Sequence, residues 1–216
     1  MKKIIIGIFC YTLLANFPFT VSANDQKVVI GMDVGGGSFS TVDEVRKKEA
    51  ICTICPEVKS VSTNNVYLEW YLFDSLGIGY RASQATQGYQ LYSGSLDLTF
   101  NWTSSNSFLT GNWIFWGENE YTRAGAIIGA GSSKYKLDIT LETSSASLEL
   151  PQETSGSASM FGIFLDWGGE SFGARLGYDV IATTLDPLVS TIGSTTTIYN
   201  VDGSYSAGYL GLRWAW

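Results

Sequence analysis

The feature that most restricts this chain is strict apolar–polar alternation ending on tryptophan at the C-terminus. Leu210, Leu212, Trp214 and Trp216 share one side of an extended strand; Tyr209, Gly211, Arg213 and Ala215 share the other. The pattern recurs upstream. Phe172, Ala174, Leu176, Tyr178 and Val180 oppose Gly173, Arg175, Gly177 and Asp179, and Val66, Leu68, Trp70 and Leu72 oppose Tyr67, Glu69 and Tyr71. A water-soluble sandwich buries its apolar face and wets the polar one. Here Trp and Tyr cap the apolar faces at strand ends, as in the girdles of a membrane interface. The opposite faces mix Gly with isolated charges, which suits a narrow, self-paired interior. The expectation is an all-β, antiparallel, up-and-down transmembrane barrel, apolar outward and charged inward.

The N-terminus has the layout of an export signal. Lys2 and Lys3 precede a mostly apolar stretch over residues 4–14, and Val21-Ser22-Ala23 is a small-residue cleavage site. Residues 1–23 are read as a signal peptide and 24–216 as one barrel domain; Cys10 is lost with the signal. Without Lys2 and Lys3, eleven Lys and Arg face twenty Asp and Glu. That balance argues against nucleic acid as a partner, which needs a basic footprint, and against docking onto an anionic lipid surface. After residue 23 nothing reaches the roughly 18 apolar residues of a spanning helix. A bilayer is then crossed only by closed strands, which satisfy every backbone polar group in hydrocarbon.

Turn residues divide the chain into strands near 27–36, 65–73, 76–92, a return ending at 113–116, 121–131 with an extension to 141, 159–167, 171–182 and 204–216. Eight strands put both termini on one side, with short turns there and four long Ser/Thr-rich loops opposite. The stretches 84–107 and 135–150 each have room for a further hairpin, which makes ten strands the alternative.

Trp216, with Trp214, Leu212 and Leu210 at every second position, looks like the terminal insertion signal of outer-membrane barrels, where an aromatic last residue is read by the barrel assembly machinery. The run Val66-Tyr67-Leu68-Glu69-Trp70-Tyr71-Leu72-Phe73-Asp74 into Leu76-Gly77-Ile78-Gly79-Tyr80, and residues 121–131, are similar in style. In these features the mature chain resembles the eight-stranded outer-membrane barrel superfamily that includes opacity proteins and the membrane domain of outer membrane protein A. The resemblance implies a Gram-negative outer-membrane location, lipid and the assembly machinery as partners, and external loops as the working surface. With Trp216 last, no peptidoglycan-binding domain is expected after the barrel.

Candidate chemistry is sparse. The chain has no histidine, and nothing else titrates near neutral pH without a large shift. The enzymes that resemble this group need a catalytic His, so a His-dependent hydrolase or acyl transferase is excluded and no enzymatic activity or cofactor is expected. Gly31-Met32-Asp33-Val34-Gly35-Gly36-Gly37-Ser38 resembles the phosphate loop of actin-like and sugar-kinase ATPases, but the chain is too short for two such lobes. A barrel strand with Gly facing a crowded lumen explains it better. Cys52 and Cys55, spaced C-x-x-C in the first loop, are expected to form a disulfide in an oxidising compartment. Zinc would need two further ligands, and no mature His or other Cys supplies them.

The strongest constellation is the set of inward charges. Asp33, Glu69 and Asp179 alternate inward with Arg81, Arg175 and Arg213, and Arg123 joins them in the less certain phase of its strand. Charges in an eight-stranded interior have to pair, and such a barrel has room only for side chains. The expected function is therefore a non-enzymatic outer-membrane barrel with a salt-bridged lumen, whose long loops serve surface interaction, adhesion to a host partner or envelope integrity. The alternatives are a narrow porin-like channel or carrier of small solutes, and a secreted, soluble, ligand-binding barrel.

Overall fold

A computed structural model of the chain describes residues 27–40, 57–58, 61–93, 96–119, 122–142, 147–169, 171–192 and 195–216. The alternating segments form eight long strands: β1 (Lys27–Phe39), β2 (Val61–Phe73), β3 (Leu76–Ser93), β4 (Leu96–Asn119), β5 (Thr122–Glu142), β6 (Ser147–Gly168), β7 (Phe172–Leu185) and β8 (Tyr205–Ala215). Each is antiparallel to its sequence neighbour, and β8 returns to β1, so the sheet closes on itself. Asp33 on β1 stands opposite Asn65 of β2 on one side and Gly211 of β8 on the other. The seam is tied at its end by reciprocal backbone bonds between Val28 and Trp216, at 3.0 and 3.1 Å. The ring has the eight strands expected, and among the described residues the ten-stranded alternative is not formed.

Period-two burial is plain on β2 and β8, β8 reading buried and exposed in turn from Tyr209 to Ala215. Among outward side chains, Leu109 is 75% exposed, Ile128 64% and Val34 63%, whereas Arg175 is fully enclosed. Leu210, Leu212, Trp214 and Trp216 all face outward. Trp70, Trp113, Trp167, Phe172, Trp214 and Trp216 ring the outer surface at the end where both described termini lie. The connections at that end are short. In the β6–β7 turn, Gly168 takes φ +135°, a region open to glycine, and Gly169 N–H donates to the Phe172 carbonyl at 2.8 Å.

At the opposite end the structure departs from the expected long loops. The described residues 84–93, 96–107, 135–142 and 147–150 continue the same strands, as the sequence allowed to 92 and 141, and β3 pairs with β4 as far as Ser93 and Leu96, β5 with β6 as far as Glu142 and Ser147. β4 alone has 24 residues, about 80 Å at 3.3 Å per residue and more than twice the 9–11 residues a crossing needs. The physical reason is a change of phase partner. In the lower half the outward positions are apolar (Val66, Leu68, Leu109, Phe161, Ile163); in the upper half they are polar (Thr86, Thr103, Lys136, Glu153), while Tyr135, Leu137 and Trp102 turn inward. The alternation persists, but it becomes that of an ordinary water-facing barrel. A two-residue strand, Glu57–Val58, pairs beside β3 at Gln90 and Tyr89, and Leu188–Ile192 with Thr195–Tyr199 makes a small separate hairpin.

The interior is filled in layers. Val29, Tyr67, Tyr71 and Ala215, with Ile114 against them, close the turn end. Phe39, Val61, Ala85, Phe108, Ile127, Tyr135, Met160, Ile181 and Tyr205 form a larger apolar layer toward the opposite mouth. The charges lie between.

Candidate functional site

Seven inward charges were expected from alternation, and all seven side chains point into the barrel. Arg81 reaches Asp179 at 2.7 Å and Asp33 at 3.1 Å. Arg175 grips Glu69 through two bonds, 2.6 and 2.9 Å, and Asp166 through two more, 2.7 and 3.0 Å. Arg123 donates to Asp166 at 3.0 Å, and Arg213 lies 3.6 Å from the same carboxylate. Tyr71 adds a hydroxyl to Glu69 at 3.1 Å. The fork geometry of arginine makes such paired bonds to a planar carboxylate both strong and directional.

Sequence reasoning missed Asp166, the acid on which three arginines converge. Its signal was present: Phe161, Ile163, Leu165 and Trp167 face outward, which places Gly162, Phe164 and Asp166 inward by the rule applied elsewhere. With Asp166 included, four arginines meet four carboxylates and the set is formally neutral. This balance matters in a dry interior, where a lone charge is costly and a pair survives only with good geometry and further hydrogen bonds.

Aromatic rings complete the cage, and glycines make room for them. A Cβ at Gly31 would collide with the Tyr67 ring and one at Gly177 with the Tyr209 ring, so each tyrosine lies flat across a glycine of the neighbouring strand. The rings then face the guanidinium groups. Arg175 sits 4.4 Å from the Tyr67 centroid and 4.2 Å from that of Phe164, Arg81 sits 4.7 Å from Tyr209, and Arg123 sits 4.7 Å from Tyr71. These are cation–π distances. Tyr67 stands between the two halves of the network, Arg81 being 5.6 Å from its ring.

The arrangement holds charges in place and offers none of them outward. Each carboxylate is engaged by at least one arginine. The Gly31–Ser38 motif lies on β1, where Gly31 and Gly35 pack under Tyr67 and beside Thr63; it is a packing feature of the wall. Cys52, Cys55 and residues 1–23 lie outside the described residues.

No protein-family model and no curated protein matches the sequence. Solved structures do match. Outer membrane protein OprG from Pseudomonas aeruginosa is 12% identical over 88% of this chain and 95% of its own, with a TM-score of 0.53. Ail, the attachment invasion locus protein of Yersinia pestis, is 14% identical over 89% of this chain and 99% of its own, with a TM-score of 0.46. Outer membrane protease OmpT from Escherichia coli is 7% identical over 93% of this chain and 99% of its own, also at 0.46. At such identities the likeness concerns fold alone. A closed ring of eight antiparallel strands, apolar outside and charge-filled inside, is the fold of the small outer-membrane β-barrels, and this chain has it.

Proposed function

We propose that the protein is an integral outer-membrane barrel of a Gram-negative cell, exported by residues 1–23, non-enzymatic, with a closed lumen and a working surface on its projecting strands. The observation that carries this reading is the reversal of phase along the walls. The lower half presents apolar side chains outward, a belt that water would not tolerate at this extent. The upper half presents polar ones and rises well past the belt. An anchor supporting a structured, water-facing extension is the economical use of such a shape. The terminal strand, with Leu210, Leu212, Trp214 and Trp216 outward, would serve as the insertion signal. The layered interior supports closure, because an eight-stranded lumen packed with side chains leaves no wide aqueous path. The role that follows is surface interaction, adhesion or envelope integrity through the projecting hairpins.

Three measurements test it. Protein from the outer-membrane fraction should migrate differently on detergent gels when heated and unheated, and in planar bilayers its conductance should match the protein-free baseline. A steady channel would replace the closed lumen with a narrow solute path, and recovery in aqueous fractions without detergent would favour a soluble ligand-binding barrel. Removing residues 89–100 and rejoining β3 to β4 at the Gly88–Asn101 pair should keep the heat-dependent shift and abolish cell-surface adhesion. Unchanged adhesion would move the working surface elsewhere.

A further inference from the structure

Just above the apolar belt, the outer wall of β2 to β5 is hollowed into a cleft of about 390 Å³. Two cross-strand rows build it. Asn64, Gln84, Ser105 and Lys134 stand side by side in register, and Val66, Ala82, Ser107 and Ser132 form the row below. Small side chains at Ala82, Ser105, Ser107 and Ser132 make the hollow, and Ser83 and Asn106 also belong to its lining. The next outward row down is Leu68, Tyr80 and Leu109, the upper edge of the belt.

The charge around the cleft is uneven. All four arginines on the described strands point inward, so Lys134 and Lys136 are the only cations at outward positions there. Lys136 is held by Asp138 at 2.9 Å and stands opposite Glu153. Lys134 has only serines as cross-strand neighbours, Ser105 on one side and Ser155 on the other. Among the described residues it is the cation this surface offers to a ligand.

We propose that the cleft seats the phosphorylated sugar headgroup of an outer-leaflet glycolipid, with Lys134 on a phosphate, the amides and hydroxyls of Asn64, Gln84, Ser105, Ser107 and Ser132 on the sugar, and the acyl chains on the belt below. The inference rests on the membrane reading given above. Three features select this occupant. The cleft runs directly into apolar surface, so its ligand is amphipathic. Lys134, its one cation among the described residues, calls for an anion, and its neutral donors and acceptors call for hydroxyls. It spans three interstrand spacings, about 14 Å, the width of a disaccharide rather than of one glycerophosphate.

The test uses the full mature protein folded in neutral detergent micelles and titrated with bisphosphorylated lipid A, bound lipid being followed by native mass spectrometry. Wild type should retain one lipid A per barrel in preference to phosphatidylglycerol. Lys134→Ala should weaken retention about fivefold, the usual worth of one surface cation near an anionic headgroup. Ser107→Leu, which fills the hollow with a side chain the belt tolerates, should weaken it further while leaving the heat-dependent gel shift intact. Equal retention by wild type and both variants, or equal competition by phosphatidylglycerol, overturns the proposal. Loss of the gel shift in wild type itself would instead sink the membrane reading beneath it.

Discussion

Replacing Arg175 by Met keeps most of the side-chain volume and removes the charge that ties the two sides of the lumen together. Glu69 then loses both guanidinium bonds, 2.6 and 2.9 Å, and keeps the Tyr71 hydroxyl at 3.1 Å. Asp166 loses two bonds as well but retains Arg123 at 3.0 Å and Arg213 at 3.6 Å. The stranded charge is therefore Glu69, which is buried. Breaking a buried ion pair from one side costs about 3–5 kcal/mol, a large part of the roughly 5–15 kcal/mol that holds a typical domain folded. Adding Glu69→Gln removes the uncompensated charge and should return about 2–3 kcal/mol of that loss. Adding Asp166→Asn should return nothing, because Glu69 stays stranded and Arg123 loses its partner. Urea unfolding of the barrel in lipid vesicles, read by tryptophan fluorescence and gel mobility, measures all three variants. A loss below about 1 kcal/mol, the size of an ordinary substitution, refutes the reasoning. So does an Asp166→Asn rescue equal to that of Glu69→Gln.

Further outcomes follow from the same geometry. Arg81→Met leaves Asp33 and Asp179 both without a cation, so in the same unfolding assay it should lose more than Arg175→Met, with Asp33→Asn/Asp179→Asn as the rescue. Gly177→Ala drives a methyl into the Tyr209 ring, whereas a Cβ at Gly208 meets nothing nearer than 3.9 Å; the first should cost about 1–3 kcal/mol and the second less than a third of that. Leu212→Arg puts a cation in the middle of the outward belt and should cost about 2–4 kcal/mol in lipid, while Thr86→Arg, above the belt, should be close to neutral.

How much of this was readable beforehand differs between the two halves of the walls. Around Leu210 to Trp216 and Phe172 to Val180 the apolar face and the charged face are both unmistakable, and phase alone placed Asp33, Glu69, Arg81, Arg175, Asp179 and Arg213 inside. Above the belt the same period carries the opposite meaning. Trp102, Tyr135 and Leu137 face inward there; the extensions of β3 to about 92 and of β5 to about 141 were legible, whereas the Ser/Thr-rich starts of β4 at Leu96 and β6 at Ser147 were not. Asp166, absent from the expected set, lies inward on β6 by the same alternation. The tyrosine–glycine pairs were not readable, because Tyr67 meets Gly31, and Tyr209 meets Gly177, across strands whose register only the closed ring defines.

The central claim is that the walls are apolar toward lipid and charged toward the axis. Spin labels at single cysteines along β8, in protein with Cys52 and Cys55 replaced by serine and reconstituted in bilayers, report it through collision with dissolved oxygen. Accessibility should peak at positions 210, 212 and 214 and fall at 207, 211 and 215. Peaks at the odd positions, or no alternation at all, would contradict it.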